Sequence, residues 1–237
     1  MIVEQLAHIL DQLGADWVLW LLIVLSVASV AVVIERLLFL HRNRVPVAEL
    51  QGKLSKALDQ GQDAALKLLA GYKGMEARVV AAGVEHMHRG AAAAEEIMAG
   101  VEHVERQRYE RFLSYLGSLG ANAPFIGLLG TVIGIMGAFA DLQMSMGAPE
   151  GGANRTEAIM GSISEALVAT AVGLLVAIPA VVAFNQLRGR VKRIQANTGA
   201  LAAILLAHLK GTNTTSSAGA TGTSDAASSK AGKQDAA

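Results

Sequence analysis

Three polar side chains lie inside or beside two long uncharged stretches, and their types suit proton chemistry within a membrane. Glu165 opens a stretch, 166–187, that carries no charge over 22 residues, and Thr170 interrupts it. Thr131 lies in the other stretch, 112–140, which is uncharged over 29 residues. A carboxyl group can hold or release a proton, and a hydroxyl can hydrogen-bond either form of a carboxyl. Because a carboxylate at mid-bilayer costs about 2.5–3.5 kcal/mol on insertion scales, we expect Glu165 to turn away from the acyl chains.

These residue types allow two interpretations. In the structural one, each Thr hydroxyl bonds to the carbonyl three or four residues earlier in its own helix, as Thr in a transmembrane helix commonly does. In the functional one, Thr131, Thr170 and Glu165 line an ion pathway between the second and third membrane spans. Two Thr and one Glu in paired glycine-rich helices leave both interpretations open.

Small residues recur at steps of three and four in both stretches, which puts them on one face of each helix. Gly130, Gly134 and Ala138 follow one another at four-residue steps, and Gly127 precedes them on the same side. Gly173 belongs to a similar face in the other stretch. Small side chains let helix backbones approach closely in lipid. We therefore predict that Gly127, Gly130, Gly134 and Gly173 pack helices together, and that this packing seals contacts between copies of the chain.

The composition indicates an all-α polytopic membrane protein. The chain is 52% apolar with a mean hydropathy of +0.41, and a soluble domain of 237 residues rarely has several uncharged runs of 18 or more. There is no Cys, so disulfides and thiol-ligated metals are excluded. His86 and His88 are two residues apart, which predicts different helix faces, so we expect no metal site and no cofactor. A net charge of zero gives no indication of a nucleic-acid partner.

Runs of charge and hydrophobicity divide the chain into eight predicted segments. The stretch 42–111 holds 11 Lys/Arg and 10 Asp/Glu, too many for lipid, whereas the end of the chain has no apolar side chain larger than Ala. The predicted segments are an amphipathic periplasmic helix 1–16, a first transmembrane helix 17–40, a cytoplasmic helical domain 41–111, a second transmembrane helix 112–142, a periplasmic loop 143–156, a third transmembrane helix 157–187, a cytoplasmic helix 188–210 and a disordered tail 211–237.

Helix ends and membrane orientation follow from local signals. Asn154, three residues before Glu157, predicts the start of the third transmembrane helix. No helix stop precedes the second span, so we expect one long helix to run from the cytoplasm into the membrane. Arg42 and Arg44 follow the first span, and a cluster beginning at Arg188 follows the third. Basic residues flank spans on the cytoplasmic side, so the chain is predicted to be N-out and C-in.

Two motifs resemble those of a known family. They are GANAPFIGLLGTVIGIMGAF at 120–139 and SISEALVATAVGLLVAIPAVVAFN at 162–185. Both resemble the signature of the ExbB/TolQ/MotA family of proton-channel subunits, nearest to the ExbB and TolQ branch, which includes the gliding-motor homologue AglR. The resemblance is strong over 120–193, only architectural over 1–119, and absent from the tail beyond 210.

The resemblance implies a proton-driven motor in the bacterial inner membrane. Subunits of this type form a homopentamer around two single-span partner helices, ExbD or TolR, whose membrane Asp carries the proton. The pathway-lining positions of the family fall on Thr131, Thr170 and Glu165 here. A TonB- or TolA-like protein that spans the periplasm would transmit the force. Each proton supplies ~2.3 kcal/mol per 100 mV of membrane potential, and the sequence has no Walker-type loop for a nucleotide, so no enzyme activity is expected.

Two other classes of function compete with the motor subunit. A membrane scaffold would recruit a partner through its cytoplasmic helices without ion conduction, and would tolerate Ala at Glu165 and Thr170. A passive channel would conduct without any partner. The sequence also leaves open which machine the motor drives: siderophore or vitamin uptake, envelope maintenance or gliding.

Overall fold

The computed structural model describes residues 16–145 and 152–221, and every regular element in those ranges is helical. A 3₁₀ turn, Met87–Arg89, separates the fourth and fifth α-helices. The α-helices are α1 (Asp16–Arg42), α2 (Val47–Gln60), α3 (Gln62–Ala70), α4 (Met75–Glu85), α5 (Ala91–Glu110), α6 (Leu113–Ser145) and α7 (Gly152–Thr221).

Three stretches of described helix are long and apolar enough to cross a membrane. They lie within Asp16–Gln60, Leu113–Ala140 and Ile159–Gly211, and so belong to α1, α6 and α7. The predicted class, an all-α polytopic membrane protein, is therefore confirmed. Pro124 and Pro179 lie inside α6 and α7 without ending either helix.

The first of two compact units contains the membrane-crossing segments, residues 16–38 and 111–189 among those described. Its core joins side chains from α1, α6 and α7, including the fully buried Val18, Leu22 and Ala123. The outward faces remain strongly apolar: Trp20, for example, is 67% exposed. A surface of this kind suits contact with acyl chains or with other membrane helices.

The second unit contains residues 39–110 together with the described part of 190–237. Gly61 separates α2 from α3 and has a φ of 115°. A residue with a side chain would adopt this backbone conformation only under strain. The far half of α7 packs into this unit through Leu201 and Leu205, both fully buried. Gly83 of α4 makes room for that contact, because a Cβ there would lie 2.7 Å from the Leu205 Cδ2 atom.

The predicted continuous helix from the cytoplasm into the second span is wrong. The structure ends α5 at Glu110 and begins α6 at Leu113, and Phe112 between them has a φ of 62°. This left-handed conformation costs a residue with a side chain about 1–2 kcal/mol. Two guanidinium groups stack on the Phe112 ring, that of Arg111 at 4.7 Å and that of Arg36 at 5.7 Å. These contacts offset the strain, and no Gly or Pro marks the break in the sequence.

Two further predicted boundaries need correction. Residues 143–145 and 152–156 of the predicted loop are helical, and α7 begins at Gly152 rather than near Asn154. Several residues there are good helix caps, so the capping pattern does not determine the start. Residues 211–221 of the predicted disordered tail continue α7, because extending an existing helix does not repeat the cost of nucleation. The predicted helix 1–16 (apart from Asp16), the loop segment 146–151 and the tail 222–237 lie outside the described residues.

Candidate ion pathway

The glycines of the two motifs bring α6 and α7 together as antiparallel neighbours. Gly120 of α6 contacts Val181 of α7, Gly127 contacts Gly173, and Gly134 contacts Ala166. Residue numbers thus rise along α6 while those of their partners fall along α7. Antiparallel helices at this spacing share small residues on both faces, which allows backbone-to-backbone contact. The motifs therefore form the two halves of one helix pair.

The backbones touch most closely around Gly127. A Cβ on Gly127 would lie 2.7 Å from the Ala169 carbonyl oxygen, and a Cβ on Gly173 would lie 2.7 Å from the Ala123 carbonyl oxygen. Real Cβ atoms do not approach backbone this closely, so any larger residue must separate the helices.

The other two glycines also contact α7 of the same chain. A Cβ on Gly130 would lie 2.7 Å from the Ala169 Cβ atom, and one on Gly134 would lie 2.7 Å from the Ala166 Cβ atom. The prediction that this face seals contacts between copies therefore needs correction, since the helix it meets is in the same chain. Small-residue spacing identifies a close contact but not which helix supplies the other side.

Thr170 bonds across the helix pair. Its hydroxyl donates to the Gly127 carbonyl oxygen at 3.2 Å, and the side chain is half-buried. The structural interpretation of the sequence expected a bond within its own helix, so for Thr170 that expectation is wrong. Because Gly127 has no side chain, its carbonyl is open to a donor from α7.

Thr131 lies at the same level of the pair, close in sequence to Gly130, which contacts Ala169. Its side chain is buried, and its hydroxyl donates to the Leu128 carbonyl oxygen at 2.7 Å within α6. The structural interpretation is thus correct for this bond. Both Thr hydroxyl hydrogens are engaged by carbonyls, so each oxygen still presents lone pairs that can accept a hydrogen bond.

Glu165 does not lie in the buried contact with the two Thr. Its neighbour Ala166 faces α6 and is fully buried, whereas Glu165 points to an exposed side of α7. There the carboxyl of Asp16, the first described residue of α1, lies within hydrogen-bonding reach of it. The two carboxyls are therefore close neighbours on an exposed part of α1 and α7.

Sequence reasoning missed Asp16 as a neighbour of Glu165. The segmentation assigned it to the end of an interfacial helix, 149 positions away in sequence, and nothing in a single sequence reports such a pairing. The one local signal was its place directly before an uncharged run, where a carboxylate must be near water or a partner.

The Glu35–Arg36 pair and two histidines also lie among the described residues. Arg36 is buried and paired with the neighbouring Glu35 carboxylate, one of its hydrogen bonds measuring 2.6 Å. His86 and His88 stack with ring centroids 6.4 Å apart, which corrects the prediction that they lie on different faces; the helix has already ended at Glu85. Within residues 16–145 and 152–221, no group of three or more potential metal ligands occurs.

Comparison with known proteins gives the family. The model of the MotA/TolQ/ExbB proton channel family matches residues 72–199, more than half of the chain. The chain belongs to this family. The matched range contains α4, α5, the entire α6–α7 glycine contact and all three candidate pathway residues.

Named relatives favour the ExbB/TolQ branch. The chain is 45% identical over 96 residues to the biopolymer transport protein ExbB of Neisseria gonorrhoeae, covering 40% of this chain and 41% of that protein. It is 47% identical over 81 residues to ExbB of Xanthomonas campestris pv. campestris, covering 34% and 30% respectively. It is 40% identical over 86 residues to the Tol-Pal system protein TolQ of Pseudomonas aeruginosa, covering 36% and 35%. The chain thus spans less than two thirds of the length of these curated relatives.

Proposed function

We propose that this chain is the proton-conducting subunit of an inner-membrane motor of the ExbB/TolQ type, which couples the proton motive force to work in the cell envelope. The observation that carries the proposal is the hydrogen bond from the Thr170 hydroxyl to the Gly127 carbonyl, at the level of the buried Thr131. It concentrates polar oxygens at one level of an otherwise apolar helix pair. Polar and ionisable groups inside membrane helices are costly, and those that face the interior of a helix bundle can mark ion or proton pathways.

The two hydroxyls have a defined chemical role in this mechanism. Since both donate to backbone carbonyls, the oxygens of Thr131 and Thr170 accept a hydrogen bond from a protonated carboxyl more readily than they donate to an ionised one. They would therefore stabilise the neutral, proton-loaded form of a carrier carboxyl beside them. Release of the proton then requires the carrier to move away or the hydroxyls to rotate.

Glu165 and Asp16 suit a separate step in the same pathway. Under the proposed N-out orientation, they lie toward the periplasmic ends of α7 and α1, where protons enter. Carboxyl groups at this place can exchange protons with the periplasm and pass them inward. Glu165 thus tunes proton entry or contacts the partner helix, and is not itself the main carrier.

The carrier is proposed to come from a partner, an ExbD/TolR-like protein with a single span and an Asp in the membrane. A homopentamer of this chain would enclose two such helices, and a TonB- or TolA-like protein would pass the force across the periplasm. Because the glycine face is used within the chain, copies would meet through outward apolar faces such as that around Trp20. Each proton gives ~2.3 kcal/mol per 100 mV, so no nucleotide is required.

Substitution at the three pathway positions tests the proposal in cells. Thr131→Val and Thr170→Val keep shape but remove the hydroxyl, Glu165→Gln keeps hydrogen bonding but removes the charge, and Glu165→Ala removes both. We expect each to reduce growth or motility that depends on the coupled system while the partner still co-purifies.

A matched control is available on α7. Thr198 is buried and donates to the Ile194 carbonyl at 2.9 Å, yet it lies in the second unit, outside the pathway. Thr198→Val should keep full activity. Full activity at normal protein levels in Thr131→Val, Thr170→Val and Glu165→Ala alike would refute the pathway and favour a scaffold.

A further inference from the structure

One acidic side chain in the second unit is buried in a way that the proposed pathway does not explain. Glu76, in the first turn of α4, is only 2% exposed. Its Oε2 atom is buried and has no hydrogen-bond partner among the described residues. A buried ionised carboxylate without a partner is strongly unfavourable, so the folded form favours the neutral acid.

The surroundings of Glu76 are tightly packed. The position of a Cβ on Gly74 would be 2.8 Å from Glu76 Oε2 and 2.7 Å from the Asn43 carbonyl oxygen, and it would overlap Val45 Cγ2. The carboxyl is thus enclosed between the start of α4 and the segment that follows α1. A glycine at 74 is required, because any side chain would occupy the space that the carboxyl fills.

The neighbouring Met75 joins this enclosure to α5. Its backbone N–H donates to the Tyr109 hydroxyl at 3.0 Å in a buried bond. The Tyr109 ring in turn packs edge-on against Phe39, with centroids 5.1 Å apart. Phe39 lies in α1, directly after the part of that helix that belongs to the first unit. Tyr109 lies near the end of α5, three residues before Phe112, where the chain breaks before α6. Glu76 therefore lies where the chain enters and leaves the second unit.

Few charges face this enclosure. On α5, Tyr109 and Glu105 are present, and Glu105 is paired with Arg78 of α4 at 2.9 Å. Arg44, between Asn43 and Val45, is exposed. Burial raises the pKa of Glu76 above its usual value, opposed only by a hydrogen bond from its own backbone N–H. Burial also raises the pKa of Tyr109, so this hydroxyl stays neutral at physiological pH.

We propose that Glu76 is a proton-operated latch that holds the start of α4 against α5 and the segment after α1. With the proton bound, the neutral carboxyl remains enclosed and the latch is closed. When the proton leaves, the charged group moves to water and the first turn of α4 loosens. Under the proposed orientation the latch reports cytoplasmic pH to the two chain segments that enter the membrane. This inference does not rest on the proposed ion pathway.

The sign of the pH effect follows from linkage. When folding raises the pKa of an acid, the proton stabilises the closed state at low pH. This stabilisation is lost as pH rises from the pKa of the unfolded state, about 4.3, to that of the folded state. Between those limits, opening becomes about tenfold more favourable per pH unit. Above the folded pKa the effect levels off.

Hydrogen–deuterium exchange of the purified full chain tests the latch without any motor assay. The readout is the protection factor, corrected for intrinsic exchange, of peptides that contain the Met75 amide, measured from pH 5 to 8. The wild type should lose protection as pH rises, by up to about tenfold per unit. Glu76→Gln should show a flat profile, and Glu76→Met serves if the Gln variant does not fold.

Two control variants separate the latch from general effects. Glu85→Gln removes an exposed glutamate at the far end of α4 and should retain the wild-type slope. Tyr109→Phe removes the acceptor for the Met75 N–H and should lower protection at every pH without changing the slope. A flat wild-type profile, or equal slopes in wild type and Glu76→Gln, would overturn the proposal.

Discussion

Adding one methyl group at Gly127 should separate the α6–α7 pair. A Cβ at this position would be 2.7 Å from the Ala169 carbonyl oxygen and 3.0 Å from the Thr170 Cα atom. An ordinary contact of this kind is about 3.4 Å or more, so the backbones must move apart by roughly 0.7 Å. The shift would also stretch the bond from Thr170 to the Gly127 carbonyl.

The loss of stability in Gly127→Ala is compared with that of a matched variant in the same helix, Gly137→Ala. Gly137 has nothing within 4 Å of its Cβ position among the described residues. Replacing Gly by Ala in a helix gains up to about 1 kcal/mol at either site. Overpacking at Gly127 costs about 1–3 kcal/mol, and weakening the interhelical bond adds about 0.6–2 kcal/mol. Gly137→Ala should thus be more stable than Gly127→Ala by at least about 1–3 kcal/mol.

Thermal unfolding of the purified variants in detergent, followed by circular dichroism, measures this difference. At about 2–4 °C per kcal/mol for a chain of this size, the midpoints should differ by several degrees, with Gly127→Ala lower. Equal gains in stability at both positions would refute the backbone contact between α6 and α7.

Three further outcomes follow from the structure. Thr170→Val removes one interhelical bond worth about 0.6–2 kcal/mol, so protein level should be nearly normal while coupled activity falls; loss of the protein itself would contradict this. Phe112→Gly should be more stable than Phe112→Ala by about 1–2 kcal/mol in thermal unfolding, because Gly accepts a φ of 62° without strain; the reverse order would indicate a continuous helix. A reporter enzyme fused after Lys210 should behave as cytoplasmic, and periplasmic activity would overturn the proposed topology.

The membrane helices and the glycine contact were largely predictable, because hydropathy and small-residue spacing are local properties. The contact around Gly127 was predicted as close packing, but its partner helix was not, since spacing does not say which chain provides the opposing face. The bond from Thr170 to the Gly127 carbonyl depends on that same missing information.

Other features have no local signal at all. Phe112 adopts a left-handed conformation through stacking with arginines, one of them 76 positions away, where the sequence shows neither Gly nor Pro. Glu76 belongs to a stretch that is too charged for lipid, and nothing in the sequence separates it from the exposed charges, although tertiary packing buries it. Asp16 reads as a helix end, although α1 and α7 bring it to Glu165. Each depends on contacts between residues distant in sequence.

Proton flux into liposomes tests the central proposal most directly. The chain is reconstituted with its single-span partner, a potassium diffusion potential is applied, and an enclosed pH indicator reports proton entry. We predict potential-driven flux for the wild type with its partner and for Thr198→Val, with background flux for the variant that combines Thr131→Val, Thr170→Val and Glu165→Ala. Undiminished flux in the combined variant, or no flux from the wild type with its partner, would contradict the assignment of these residues to a proton pathway.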